Sequence, residues 1–195
     1  MCKFSEDSRQ KLGNAVIYIA NHTEQLSKTK LLKLLFLMEE YMVKRYHVPF
    51  MGLPFEIWQA GPVAKDIFID LSDGPFLLKD FVKTEVQKDA TYIRAIKPFC
   101  DDEFSDCEME MMDEIIRKYG KKTAKQLVAE VHKEGSLWFN AAKKHGLLTA
   151  FNKGLCNNSD YTIDFSEELS DCAREDYKES LAIHQTANIL KAQGH

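Results

Sequence analysis

Six histidines and five cysteines are the side chains of this chain best suited to bind a metal. The cysteines are Cys2, Cys100, Cys107, Cys156 and Cys172. No two of them form a CxxC pair, and Cys100 and Cys107 have no histidine close by in the sequence. Zinc sites use closely spaced ligand pairs, which this pattern lacks. We therefore predict free thiols in a reducing compartment, with no metal and no cofactor.

The acidic residues and histidines give no catalytic pattern. Glu39 and Glu40 are adjacent in a predicted helix, and adjacent helical side chains point about 100° apart, so they cannot both face one substrate. His132 could be the general base of a hydrolase, or it could be a structural residue near a helix end. The sequence also lacks the GxGxxG, GxxxxGK[ST], HExxH and GxSxG motifs. We predict no catalytic residue and a protein that is not an enzyme.

Basic residues raise DNA binding as an alternative function. Lysines and arginines cluster at residues 28–45 and 118–125, and two short predicted helices within Thr123–His145 could form a helix-turn-helix. Recognition helices contact bases mainly through their N-terminal part, which here is the apolar Leu137-Trp138-Phe139. A transcriptional regulator of its own operon is therefore kept as the alternative and is not favoured.

Composition indicates a folded domain of ordinary size. The 195 residues are 45% hydrophobic and 29% charged, with a net charge of −4 that weakens general polyanion binding. Residues 1–9 carry charges of both signs and no apolar run follows them, unlike a signal peptide. We expect a cytoplasmic protein without a membrane span.

The hydrophobic pattern predicts a mainly α (α+β) fold, a compact helical domain around one central helix. Helices are predicted at about residues 7–21, 28–46, 63–71, 105–120, 123–133, 137–145 and 166–190, and a β-hairpin at 81–98 with its turn at 88–90. The 28–46 helix is apolar on nearly every face, which predicts that it is buried. Two capping boxes, Ser105 with Glu108 and Thr123 with Gln126, indicate helix starts. A short strand is expected at 161–165, and Ser166 is expected to cap the last helix.

Aromatic residues are concentrated between the second and third predicted helices. This segment contains Tyr46, Phe50, Phe55 and Trp58, followed by Gly61 and Pro62. Gly61-Pro62 is predicted to be a turn that places Pro62 in the first position of the next helix. An aromatic loop on a helical scaffold can form a partner-binding groove, or it can simply cover the central helix. We predict that these six residues bind a partner and that Trp138 lies in the core.

Four motifs occur in an order and spacing that resemble the Panacea domain of SocA-like antitoxins. Residues 30–37, KLLKLLFL, resemble the family's KLxKLLYxA helix, and residues 60–63, AGPV, resemble its xGPV turn. The segment from Tyr46 to Phe55 resembles YGxPxxGxxF, although His47 replaces the glycine. Residues 127–138 resemble LxxLxHxExxxW. Glu39 and its neighbour Met38 stand where the family often has an aspartate or another polar residue.

The resemblance implies a bacterial or phage-associated antitoxin that binds another protein. Family members neutralise unrelated toxins, and some are similar to adaptors that deliver a toxin to a ClpXP-type protease. The implied partners are a small toxin and, secondarily, such a protease, without catalysis or cofactor. The resemblance assigns residues 1–150 to the family domain, with 151–195 as a C-terminal loop and helix packed on it. Lys30, Leu34, His132 and Trp138 would be structural motif residues.

Overall fold

A computed structural model describes residues 4–72, 74–88 and 90–193 of the chain. Within these ranges the helices are α1 (Glu6–His22), α2 (Lys28–Tyr46), α3 (Lys65–Asp70), α4 (Asp106–Tyr119), α5 (Ala124–Val131), α6 (Leu137–Lys144), α7 (Leu147–Asn152) and α8 (Asp171–Gln193). The strands are β1 (Glu56–Trp58), β2 (Gly61–Val63), β3 (Val82–Gln87) and β4 (Ala90–Ala95), and a 3₁₀ helix covers Phe165–Glu168. The predicted fold class, mainly α with small β elements, is confirmed.

Helix α2 lies at the centre of the fold, with the bounds that its sequence predicts. Every residue from Lys30 to Glu39 is buried, and the helix contacts α1, α4, α5 and β2. The Ser27 side chain caps its first turn by accepting a hydrogen bond from the Lys30 amide. At the other end His47 adopts a left-handed φ of 58° and donates its N–H to the Val43 carbonyl. The prediction of a buried central helix is therefore confirmed.

Local signals also predict α4, α5 and the β3–β4 hairpin correctly. Both predicted capping boxes are present, at Ser105 and at Thr123. Strands β3 and β4 pair antiparallel, and Ile93 of β4 donates to the Leu26 carbonyl at 2.8 Å, which joins the hairpin to the turn before α2. The predicted turn at 88–90 includes Asp89, which lies outside the described residues.

The predicted role of Pro62 as the first residue of a helix is wrong. Pro62 lies in β2 opposite Ile57 of β1, and α3 begins only at Lys65. Gly61 has a φ of +96°, which no right-handed helical turn can use. Proline is acceptable in β2 because this strand is an edge strand that pairs with β1 on one side.

The C-terminal region departs from the prediction in two places. Ser166 lies inside the 3₁₀ helix, whose cap is Asp164, and α8 begins at Asp171. The expected strand at 161–165 is only an isolated bridge between Thr162 and Glu56. The prediction from local sequence is wrong at both features, because main-chain contacts with the distant β1 determine the path of the segment before α8.

Residues 151–193 pack against the rest of the chain. Ile57 donates its N–H to the Tyr161 carbonyl at 2.9 Å, and the Phe165 ring lies 5.4 Å from the Phe36 ring. The first half of α8 buries Tyr177, whereas Ile189 near its end is 56% exposed. No described helix combines the length and the apolar character that a membrane span requires.

Candidate functional site

Two buried lysines of α2 bind main-chain carbonyl groups of distant segments. The Lys33 ammonium donates to the Pro62 carbonyl of β2 at 2.7 Å, and burial lowers the pKa of Lys33 to about 7. The Lys30 ammonium donates to the carbonyls of Gly120 at 2.6 Å and Glu24 at 3.2 Å. Neither lysine belongs to an exposed basic face, so the motif lysines connect the central helix to β2 and to the end of α4.

Gly61 allows the close contact between β2 and Lys33. A Cβ atom at this position would lie 2.8 Å from Lys33 Cε and 3.0 Å from Val131 Cγ2. Its φ of +96° is also unfavourable for any residue with a side chain. The left-handed backbone and the close contact with Lys33 therefore both favour glycine at this position of the AGPV motif.

His132 and Trp138 complete a largely buried group of residues from the family motifs. We call this group, Lys33, Gly61, His132 and Trp138, the motif cluster. Their rings stack at 3.8 Å with an angle of 12° between planes, and the Trp138 indole N–H donates to the Trp58 carbonyl at 3.1 Å. Burial, and secondarily the charge of Lys33, lower the pKa of His132 to about 4. Its buried Nε2 has no hydrogen-bond partner among the described residues. The structure therefore places Trp138 in the core, with the His132 ring stacked on it.

The predicted partner-binding residues divide into a buried group and a partly exposed group. Phe50, Phe55, Gly61 and Pro62 are buried, and the Phe55 ring packs against those of Phe36 and Phe165. Tyr46 is 37% exposed at the end of α2. Trp58 is half-buried. Its indole N–H donates a hydrogen bond to the Glu56 carboxylate at 2.9 Å, and its ring packs against the Phe68 ring. Only Tyr46 and Trp58 of the six present side-chain surface.

Glu39 is a functional candidate that sequence reasoning did not identify. Its carboxylate is fully buried and accepts three main-chain hydrogen bonds, from Phe50 (3.1 Å), Met51 (2.9 Å) and Gly52 (3.2 Å). Burial raises the pKa of Glu39 to about 7, although the three N–H donors and Lys11 act in the opposite direction. The available signal was one acidic residue within the otherwise apolar part of α2, where buried charge needs partners.

The segment that Glu39 binds forms one wall of a groove. The groove has a volume of about 460 Å³ and lies between α1, residues 51–54 and the second half of α8. Its walls include the apolar side chains of Leu12, Met51, Leu53, Pro54, Leu181 and Ile189. Polar contacts bridge its rim: Ser8 donates to Asn188 at 2.6 Å, and His184 Nε2 donates to the Met51 carbonyl at 3.1 Å. The groove combines apolar walls with a polar rim, which is the composition of many protein-binding surfaces.

Residues 31–139 match the family model described as antitoxin SocA-like, Panacea domain. The chain belongs to this family. No curated protein and no solved structure matches it. The matched range contains Lys33, Glu39, Gly61, His132 and Trp138, so the buried motif cluster lies within the SocA-like domain. Helices α1 and α8, which form two walls of the groove, lie outside the match.

The SocA-like domain offers little support for the helix-turn-helix alternative. Leu137 and Trp138 in the first turn of α6 are buried, so they cannot reach DNA bases. Lys144 at the other end of α6 forms an ion pair with Glu167 at 2.5 Å. The arrangement of α5 and α6 packs Trp138 against His132 and β1 instead of exposing a recognition helix.

Cysteines and acidic groups of the SocA-like domain form no buried ligand set in the described ranges. Cys100, Cys107, Cys156 and Cys172 are free, as predicted, and Cys2 lies outside the described residues. Donor atoms of Cys100, Asp101 and Asp102 lie within 4.8 Å of one another, but all three side chains are exposed. Exposed acidic groups of this kind are common at the start of a helical segment and do not by themselves indicate a metal.

Proposed function

We propose that this chain is a non-enzymatic, cytoplasmic antitoxin that neutralises a small toxin by binding it. The observation that carries the proposal is the SocA-like antitoxin family match over residues 31–139. The buried motif cluster supports it, because Lys33, Gly61, His132 and Trp138 contribute to the core and leave no accessible catalytic group among them. We also propose that residues 151–195 belong to the same functional unit as residues 1–150.

The apolar groove is the surface that best fits a toxin. Its walls come from α1, residues 51–54 and α8, and its volume of about 460 Å³ can accept apolar side chains of a toxin helix. Met51, Leu53 and Ile189 would contact such side chains, while Asn188 and His184 on the rim would face polar groups. Phe50 and Phe55 contribute indirectly by fixing the path of the loop, and Tyr46 and Trp58 remain candidates for direct contact.

Affinity capture of the tagged full chain from its native cells, followed by mass spectrometry, tests the antitoxin function. We expect one small protein in near-equal amounts that is toxic when produced alone and harmless when this chain is produced with it. A ClpX-type unfoldase in the same eluate would favour a proteolytic adaptor form of this function. Capture that yields only the bait, under conditions where the chain is folded, contradicts the proposal.

A pair of matched substitutions tests the groove. Ile189 lines the groove and is 56% exposed, whereas Ile69 of α3 is 50% exposed and does not line it. Ile189→Asp should weaken toxin binding by about tenfold or more, because a charge enters an apolar contact. Ile69→Asp should leave the affinity unchanged while introducing the same charge. Equal affinities for the two variants would remove the groove from the proposal without removing the antitoxin function.

A further inference from the structure

One wall of the groove directs three main-chain N–H groups at a single carboxylate. The amides of Phe50, Met51 and Gly52 are consecutive and all point at the carboxylate of Glu39. The backbone is left-handed at Gly52 (φ 61°), the last residue of this segment, and at His47 (φ 58°), which ends α2. Successive N–H groups in such a conformation form a concave site for an anion. In this chain the anion is a side chain of the central helix, so α2 and the groove wall are directly connected.

Several other charged and titratable groups surround the same segment. Lys11 of α1 influences Glu39 and forms an ion pair at 2.6 Å with Glu108 of α4. From α8, His184 donates to the Met51 carbonyl. Burial raises the pKa of Tyr177 of the same helix, and the charge of the nearby Glu39 carboxylate adds to this effect. Asp164, which precedes the 3₁₀ helix, also raises the pKa of Tyr177. Glu39 is the group that contacts the main-chain amides of the wall directly.

We infer that Glu39 is a proton-dependent latch of the groove: its carboxylate holds residues 50–52 in the wall, and its protonation releases them. Phe50 and Gly52 donate to one carboxylate oxygen of Glu39 and Met51 donates to the other. A neutral carboxyl group keeps only its carbonyl oxygen as a good acceptor, so a proton on the oxygen that Met51 binds deprives that amide of its acceptor and weakens the hold on the segment. Met51 and Gly52 both bind Glu39 and line the groove, so the release changes the binding surface itself. This inference rests on the proposed function for its consequence, which is tighter toxin binding with Glu39 ionised.

Glu39 changes its charge near neutral pH. Burial raises the pKa of Glu39 to about 7, so a small acidification from neutral pH protonates it. His184 is affected differently, because burial lowers its pKa and it gains its charge only at lower pH. Glu39 binds the Met51 amide and His184 binds the Met51 carbonyl, so substitution of each group in turn shows which one causes a pH-dependent change.

Amide NMR of the full-length chain tests the latch without a toxin. We would record chemical shifts and hydrogen exchange of Phe50, Met51 and Gly52 from about pH 5 to about pH 9, a range that brackets the titration of Glu39. The three amides should titrate together with a midpoint near 7. Their exchange, corrected for the intrinsic effect of pH, should be at least about tenfold less protected on the acidic side. Amides that keep their protection throughout, or that show no common midpoint, refute the latch.

Three substitutions establish which group causes the transition. Glu39→Gln should abolish the titration and hold the protection of the segment at its acidic-side level at every pH, because the glutamine amide offers one acceptor oxygen where the carboxylate offers two. Glu40→Gln is the matched control on the same helix, since Glu40 binds Lys44 at 2.9 Å and not the loop. Glu40→Gln and His184→Asn should both keep the midpoint, and loss of the midpoint in His184→Asn would assign it to the histidine and refute the latch. If Glu39→Gln does not fold, the titration of the unmodified chain still decides the question.

The outcome is independent of the antitoxin test. A captured toxin with a flat amide titration would retain the proposed function and refute the latch. A clear titration without any captured toxin would retain the latch as a property of the fold and refute its role in toxin binding. If a toxin is captured and the three amides titrate, toxin affinity should fall on acidification in the unmodified chain and in Glu40→Gln. It should not fall in Glu39→Gln.

Discussion

Substitution of Gly61 by alanine gives the sharpest test of the motif cluster. The added Cβ would lie 2.8 Å from Lys33 Cε and 3.0 Å from Val131 Cγ2, so the Lys33 side chain or β2 must move. The left-handed φ costs a residue with a Cβ about 1–2 kcal/mol, and overpacking a buried position costs about 1–3 kcal/mol more. We therefore expect Gly61→Ala to lower the free energy of unfolding by about 2–5 kcal/mol.

Gly135→Ala supplies the matched control for this measurement. Gly135 has a φ of +84°, close to the +96° of Gly61, but a Cβ there would have no heavy atom within 4 Å. It should show only the backbone cost of about 1–2 kcal/mol. Urea unfolding followed by tryptophan fluorescence measures the free energy of unfolding of both variants. In thermal unfolding, a difference of about 2 kcal/mol would appear as about 4–8 °C in Tm. Equal losses for the two variants would refute the argument that Lys33 packing requires glycine at position 61.

Three further predictions concern the stacked rings and the aromatic loop. Trp138→Phe should lower the free energy of unfolding by about 1–3 kcal/mol, since the Trp58 carbonyl loses its donor; an unchanged urea midpoint would contradict the bond. His132 has a pKa lowered to about 4 in the fold, so unfolded chains bind its proton first and stability is lost as pH falls from about 6.5 to 4. His132→Phe should flatten that decline in urea titrations at successive pH values, and an identical slope would exclude His132 as its cause. Phe50→Ala should cost about 3–5 kcal/mol, whereas Tyr46→Ala, at a partly exposed position, should cost less than about 1 kcal/mol; similar losses in thermal unfolding would contradict their different burial.

The same geometry affects how binding experiments on the aromatic loop are interpreted. Gly61→Val would add a branched side chain where even a Cβ collides with Lys33. Loss of toxin binding by that variant would report damage to the fold and not a lost contact. Trp58→Ala is more informative, because Trp58 is half-buried and its ring borders the surface beside Phe68.

Features set by local physics were predictable from the sequence. The bounds of α2 follow from its Ser27 cap and its run of leucines, and α4 and α5 follow from their capping boxes. Each of these signals depends on residues within one or two helical turns of one another. The family resemblance also rests on such segments, and the match over residues 31–139 confirms it.

Features set by distant contacts were not predictable in this way. Pro62 followed by a helical pattern suggests a helix start, but pairing with Ile57 and the hydrogen bond to Lys33 place it in a strand. The aromatic loop was visible in the sequence, but which of its rings are buried depends on distant rings, Phe104 against Phe50 and Phe165 against Phe55. From the sequence, Glu39 was considered only as one of two adjacent carboxylates and as a departure from the family pattern, because its three main-chain partners are defined by the path of the loop after α2.

The buried charged side chains of α2 bind main-chain atoms of the segments around them. Lys30 and Lys33 bind the carbonyl oxygens of Gly120 and Pro62, and Glu39 binds the amides of residues 50–52. Every amino acid has a carbonyl group, and every one except proline has an N–H group. Of the three residues that Glu39 binds, Met51 has a partly exposed side chain in the groove, whereas Phe50 is buried and Gly52 has a left-handed φ of 61°. The groove surface of this chain can therefore be changed at position 51 while the central helix keeps its main-chain partners.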